Sequence, residues 1–155
     1  MKIRTYRSSD KAMVIRHIDR ILREFDYAFS RSLDRDLLDI PKYYTKRGGR
    51  FWILADSNDK VVGTIGVSRI NRFVCKLRRF YVSRRYRHKG WGLQLYRKAL
   101  DYIRRKGYRE IWMSTTPHLK DSLRFQEKAG FKLSKKPLWP YKRASIFHTL
   151  KLISR

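Results

Sequence analysis

Residues 80–92 read FYVSRRYRHKGWG. Apolar strand formers give way to Arg84, Arg85, Arg87, His88 and Lys89, and then Gly90 and Gly92 flank Trp91 just before an amphipathic stretch. A strand, a short basic loop and a helix start form a setting in which backbone N–H groups converge on an anion. The helix N-terminus adds partial positive charge, and glycine lets the backbone approach closely. A diphosphate suits that chemistry. No Walker sequence is present, and the loop has one glycine too few for the dinucleotide fingerprint. On these residues alone, a purely structural glycine turn remains the alternative.

Other reactive side chains are sparse. Cys75 is the only cysteine, which excludes an internal disulfide and a cysteine-based zinc cluster, and no metal is expected. A lone cysteine in a strand is a small core residue rather than a nucleophile. His118, after Pro117, has the side chain to act as a base at neutral pH or to be a plain loop histidine. His148, in SIFHTLKLI, is read as a face residue of a strand, and Tyr81 as a strand aromatic or a proton donor. Asp34, Asp36 and Asp39 stand among leucines, as solvated helix acids or as a site for a cationic amine.

These residues are positioned by elements that the patterning makes legible. MKIRTYR alternates like a strand, and Ser8, Ser9 and Asp10 are candidate caps for a helix whose apolar face is Val14, Ile18, Ile21, Leu22 and Phe25. Residues 30–44 are read as a second short helix. FWILA (51–55) and VVGTIGV (61–67), joined by a turn-rich linker, predict a hairpin, and VCKLRRFYV (74–82) a third antiparallel strand. Leu93, Leu95, Tyr96, Ala99, Leu100 and Ile103 form a helical stripe ending near Gly107. IWMST (111–115) is a strand, 119–129 a helix ended by Gly130, and FKL and ASIFHTLKLI closing strands, with breaks at Pro137 and Pro140. The expected order is β-α-α-β-β-β-α-β-α-β-β in a single domain over 1–155, a mixed α+β fold.

The chain has 155 residues and a net charge of +26. Residues 1–59 carry 13 basic and 9 acidic side chains, whereas residues 60–155 carry 26 basic and 4 acidic, net +22. That field attracts phosphates, nucleic acid or other polyanions, or is a solvated basic surface. With 42% apolar and 14% aromatic residues, a packed core is expected and disorder is excluded. No apolar run approaches membrane-span or signal-peptide length, so a soluble, cytoplasmic protein is expected.

LRRFYVSRRYRHKGWG resembles the central motif of the GNAT (Gcn5-related) N-acetyltransferase family, in which Arg/Gln-x-x-Gly-x-Gly/Ala follows the fourth strand. Arg87, Gly90 and Gly92 match it position by position. GGRFWILADSNDKVVGTIGV (48–67) is similar to that family's second and third strands, and TTPHLKDSLRFQEKAGF (115–131) to its fifth-strand exit and following helix. The resemblance implies a GNAT-like fold: a mostly antiparallel twisted sheet, splayed between the fourth and fifth strands and flanked by helices, with acetyl-CoA as cofactor. It implies that residues 87–92 (Arg87, His88, Lys89, Gly90, Trp91, Gly92) hold the CoA diphosphate and that Phe80, Tyr81 and Val82 pair with the pantetheine. An amine would attack directly, with a fourth-strand N–H stabilising the oxyanion. Asp34, Asp36 and Asp39 fall where the family builds its acceptor wall.

Three positions depart from common relatives. Lys76 stands where Glu often supplies a base, Gln126 where Tyr often supplies a proton, and Ser114 where Asp is frequent. Gln126, Tyr81 and His118 are the candidate catalytic side chains. Because a lysine amine (pKa about 10.4) is almost wholly protonated at neutral pH and an α-amine (about 7.7–8.0) is not, a weak-base site favours α-amines. The expected activity is acetyl-CoA-dependent N-acetylation of an amine, preferably an α-amine of a protein or aminoacyl-RNA. The alternatives are a CoA-binding regulatory or nucleic-acid-binding protein with weak or lost catalysis, and an acetyltransferase for a small amine.

Overall fold

The computed structural model describes residues 1–137 and 143–153, so the break read at Pro140 lies outside the described residues. Strands β1 (Lys2–Thr5), β2 (Arg50–Ala55), β3 (Val61–Arg69), β4 (Val74–Val82), β5 (Glu110–Thr115), β6 (Lys132–Ser134) and β7 (Ile146–Lys151) form one sheet, in the order β1-β2-β3-β4-β5-β7-β6. Neighbours are antiparallel except β4 and β5, which are parallel. The helices are α1 (Lys11–Arg23), α2 (Arg35–Leu38), α3 (Ile40–Tyr43), α4 (Trp91–Arg105) and α5 (Lys120–Lys128).

Both faces of the central strands are covered, which explains why FWILA and VVGTIGV are apolar throughout rather than alternating. Along β2, Phe51 and Ile53 join a core with Val14 and Ile18 of α1, while Trp52 and Leu54 join one with Leu95, Ala99 and Ile103 of α4. The period-two geometry of a strand divides the run between the two cores. Gly66 serves this packing: a Cβ there would lie 2.6 Å from the Tyr44 ring and 2.9 Å from that of Phe51. The start of α1 is fixed by Asp10, which accepts from the Arg7 N–H at 2.7 Å and from the Arg4 guanidinium at 2.7 and 2.8 Å, tying helix to first strand.

The expected single helix over 30–44 is instead two four-residue turns. Asp39 accepts from the Lys42 N–H and restarts the helix at Ile40, with Pro41 in its first turn. Asp34 and Asp36 therefore point inward and are buried, leaving only Asp39 exposed.

Two irregularities shape the middle of the sheet. β4 pairs with β5 only at Val74, Cys75 and Lys76, opposite Glu110, Ile111 and Trp112, so β4 from Leu77 onward has no strand partner on that side. Its other edge is bulged: Thr64 faces Tyr81 and Gly66 faces Arg78, so Arg79 and Phe80 both stand opposite Ile65. Arg79 takes φ +54, and Thr64 Oγ1 donates to its carbonyl at 2.7 Å.

Candidate active site

The segment leaving β4 ends in a run of backbone donors without acceptors. No side chain caps α4, and among the described residues no acceptor meets the N–H groups of residues 88–93. Gly90 precedes the helix at φ +83 and His88 lies at φ +57, and this left-handed pair turns successive amides toward one side. Arg87, which lines the cleft, is also tied back onto the protein. Its Nε donates to the Val82 carbonyl at 2.7 Å and its Nη1 to Glu24 at 2.8 Å, so it holds the loop against the strand end and α1.

The gap between β4 and β5 opens into a cleft of about 1090 Å³. Phe80, Tyr81, Val82, Arg87, His88 and Gly92 line it, as does His118, exposed in the turn after β5. Of the expected cofactor residues, Lys89, Gly90 and Trp91 do not line the cleft, although their amides belong to the donor run. Lys76, Arg78, Arg69 and Arg47 line the region along the first half of β4.

Behind the bulge sits a paired charge cluster. Arg79 donates from Nε to Asp36 at 2.9 Å and from Nη1 to Asp34 at 2.9 Å, and Arg143 donates to Asp34 at 2.8 Å. Tyr44 donates its hydroxyl proton to Asp36 at 2.6 Å. Burial raises the Asp36 pKa, but Arg79's charge and hydrogen bonds outweigh that and hold it at about 2. Asp34 is likewise held below its ordinary value, the burial penalty being exceeded by hydrogen bonds from Arg143 and the Ser30 N–H and by the Arg79 charge. The reading of these two acids as solvated, or as free for a cationic amine, is corrected: they are buried counter-ions of arginines. The sequence showed an excess of arginine and a cluster of aspartates but no local pattern linking 34, 36, 79 and 143.

The candidate reactive side chains are arranged as follows. Lys76 is partly buried, and its ammonium has no carboxylate or hydrogen-bond partner among the described residues; burial, then the charges of Arg78 and Arg79, lower its pKa to about 8 against the opposing pull of Asp36. Tyr81 is partly buried against the α1-side core, and burial raises its pKa. Gln126 is fully buried on α5, where its Nε2 donates to Ser122 Oγ at 3.0 Å; Ser122 and Phe125 line the cleft and Gln126 does not. His17, a residue that no motif singled out, is buried with Nδ1 3.2 Å from Ser83 Oγ, and burial lowers its pKa to about 4. His148 is buried on β7 opposite Met113 and is not part of the cleft lining.

A parallel seam that parts after three pairs, a bulged fourth strand and a donor-rich helix start form a slot suited to an extended ligand that ends in an anionic group. The sequence profile of the Acetyltransferase (GNAT) family matches residues 15–131, and the chain belongs to that family. Two curated relatives are Probable N-acetyltransferase camello of Xenopus tropicalis (32% identical, 76% of this chain and 54% of that protein) and N-acetylaspartate synthetase of the same organism (35% identical, 65% and 38%). The chain spans about half the length, or less, of these relatives. An acetyltransferase of the GNAT family from Staphylococcus aureus superposes with a TM-score of 0.91 at 26% identity, over 98% of this chain and 99% of that one. At 16% identity and a TM-score of 0.76, a phosphinothricin acetyltransferase from Sinorhizobium meliloti in complex with AcCoA shares the fold over 97% and 88%. GNAT acetyltransferases use acetyl-CoA, and the residues here fit it: the acceptorless amides of 88–93 match an anionic diphosphate, and the unpaired edge of β4 matches an extended chain carrying amide groups.

Proposed function

We propose that this protein is an acetyl-CoA-dependent N-acetyltransferase whose acceptor is an α-amine on a molecule that also bears carboxylates, such as an acidic amino acid or the acidic N-terminus of a peptide. One observation carries the acceptor class: Lys76, Arg78, Arg69 and Arg47 line the part of the cleft along the first half of β4, which we assign to the acceptor, while Asp34 and Asp36 are already neutralised by Arg79, Arg143 and, at 3.6 Å, Arg78. A cationic acceptor such as a polyamine would meet like charge; a carboxylate would meet guanidinium groups able to grip it with two hydrogen bonds. The name of the relative N-acetylaspartate synthetase accords with this reading.

Bound acetyl-CoA supplies an activated acetyl group. The amides of 88–93 hold its diphosphate, Arg87 fixes the loop that presents them, and the bulge at Arg79 re-aims the Phe80–Val82 backbone toward the slot. We assign proton relay to Tyr81 and His118, both of which line the cleft, His118 from an exposed loop. An α-amine, neutral in a tenth or more of molecules at pH 7, reacts without a strong base. The +22 carried by residues 60–155 supports a second acceptor of the same amine chemistry, an aminoacyl-RNA.

The test is release of free CoA thiol with L-aspartate, an Asp-initiated peptide, an aminoacyl-RNA and spermidine. Turnover with the acidic α-amines is expected. Turnover with spermidine alone would overturn the acceptor assignment. Tight CoA binding without thiol release on any acceptor would favour a regulatory CoA-binding protein.

A further inference from the structure

Lys76 is an amine lodged inside the cleft of a family that acetylates amines. It is the last residue of β4 hydrogen-bonded in register with β5, at the point where the two strands part. Its neighbours Cys75 and Leu77 point into the α4-side core, so strand alternation turns Lys76 to the opposite face, with Arg78. Lys76 and Arg78 both line the cleft that Phe80, Tyr81 and Val82 share. Buried ammonium groups are normally paired. The partly buried Lys76 has no such partner among the described residues, and the charged groups around it are Arg78 and Arg79 of its own strand, which repel a proton, and Asp36 of α2, which is already engaged by Arg79 and Arg78.

We propose that Lys76 is a self-acetylation site: in the absence of an external acceptor, its ε-amine takes the acetyl group from acetyl-CoA bound in the adjoining slot. The lone pair of the neutral amine forms a bond to the thioester carbonyl carbon and the carbon–sulfur bond breaks. CoA leaves as its thiolate, and the proton released from the nitrogen neutralises that thiolate. The products are one N-acetyl-lysine and one free CoA thiol per chain. The modification removes a cation from the acceptor end of the cleft, so it also alters which acceptors the site can grip. The inference rests on acetyl-CoA binding at 87–92 but not on the identity of the external acceptor.

Burial and the two arginines bring the Lys76 pKa to about 8, so about half of the molecules hold a neutral amine at that pH, where an ordinary lysine (about 10.4) would be less than a hundredth neutral. The experiment incubates the purified chain with acetyl-CoA alone, from pH 6.5 to 9.5, and reads intact mass, peptide mapping and free thiol. A single acetyl at Lys76 is expected, with a rate rising about tenfold per pH unit below pH 8 and levelling above it. Lys76→Arg and Lys76→Met should each abolish it, and Gly92→Val should slow it by weakening CoA binding. Trace labelling of the free protein with acetic anhydride supplies a readout without acetyl-CoA, in which Lys76 should titrate near pH 8. Acetyl groups scattered over exposed lysines such as Lys89 and Lys106, at rates indifferent to Gly92→Val, would be solution chemistry and would overturn the proposal. So would an unmodified Lys76 in protein that binds acetyl-CoA, an outcome that leaves N-acetylation of external amines standing.

Discussion

The loop at 87–92 and the charge cluster at Asp34, Asp36, Arg79 and Arg143 lie on either side of the same cleft and are built on opposite terms. At the loop, backbone N–H groups have no partners among the described residues, and the Arg87 side chain holds the chain in place. In the cluster, each carboxylate is met by at least two donors, drawn from β4, the residue after α3, the segment before α2 and the non-strand segment leading into β7. Unsatisfied donors make a binding site that awaits a ligand; satisfied ions make a scaffold. The half of the cleft proposed for the cofactor is thus set by local backbone geometry, and the half proposed for the acceptor by arginine–aspartate contacts that span 43 to 109 positions.

The sharpest way to break that contrast is to remove the cation on which the scaffold depends. Arg79→Met leaves Asp34 and Asp36 buried with too little compensation and should cost about 3–5 kcal/mol in denaturant unfolding. Acid does the same from the other partner. Asp36 has a lowered folded pKa, so its contribution is complete above the ordinary carboxylate pKa and is lost as pH falls from about 4 toward about 2. Unfolding midpoints that are flat across that window in the parent, or unchanged in Arg79→Met, would show that the cluster is not what holds the acceptor wall.

His17 should dominate a separate, milder pH range. Its folded pKa is lowered to about 4, so between pH 6.5 and 4 the unfolded chain binds more protons and stability falls as pH falls, by roughly 2–3 kcal/mol in all. His17→Phe should flatten that slope in urea titrations. On the cofactor side, a Cβ at Gly92 would meet only Phe80 and Val82, at 3.7 Å or more, so Gly92→Val should fold with little change in midpoint. Its CoA affinity should nonetheless drop at least tenfold by calorimetry, about 1.4 kcal/mol, because the side chain obstructs ligand approach to the amides. Unchanged affinity in the folded variant would remove the diphosphate from this loop. The smallest effect is expected at Gln126. Replacing this half-satisfied buried amide by methionine should shift stability by less than about 1 kcal/mol and leave CoA binding intact. A large fall in turnover would return position 126 to the chemistry.

The loop, the strand order around it and the two long helices were legible because each depends on short-range rules: glycine before a helix, alternation in strands, apolar residues at three- and four-residue spacing. The parting of β4 and β5 was accessible only through family resemblance, since nothing in VCKLRRFYV marks where pairing stops. The segment 30–44 misled for a physical reason. Its leucines and acids fit a helix with a solvated face, but Asp34 and Asp36 gain more from burial against Arg79 and Arg143 than from helical continuity, and those partners lie 45 and 109 residues away from Asp34. Lys76 read as a missing base in the sequence; its altered proton affinity comes from enclosure and from Arg78 and Arg79, and enclosure cannot be seen one residue at a time.

Strand β7 lies between β5 and β6 and, among the described residues, is the only strand partner that β6 has, yet it is the last of the three to be synthesised. The half of the sheet formed by β1–β4 with α1 and α4 is complete by residue 105, while β5 and β6 wait with open edges until residues 146–151 emerge. A nascent or truncated chain lacking that strand would carry an assembled 87–92 loop beside two unzipped edges, the geometry that recruits chaperones or a second chain. The order of translation therefore makes pairing of the closing strand the step that removes both open edges.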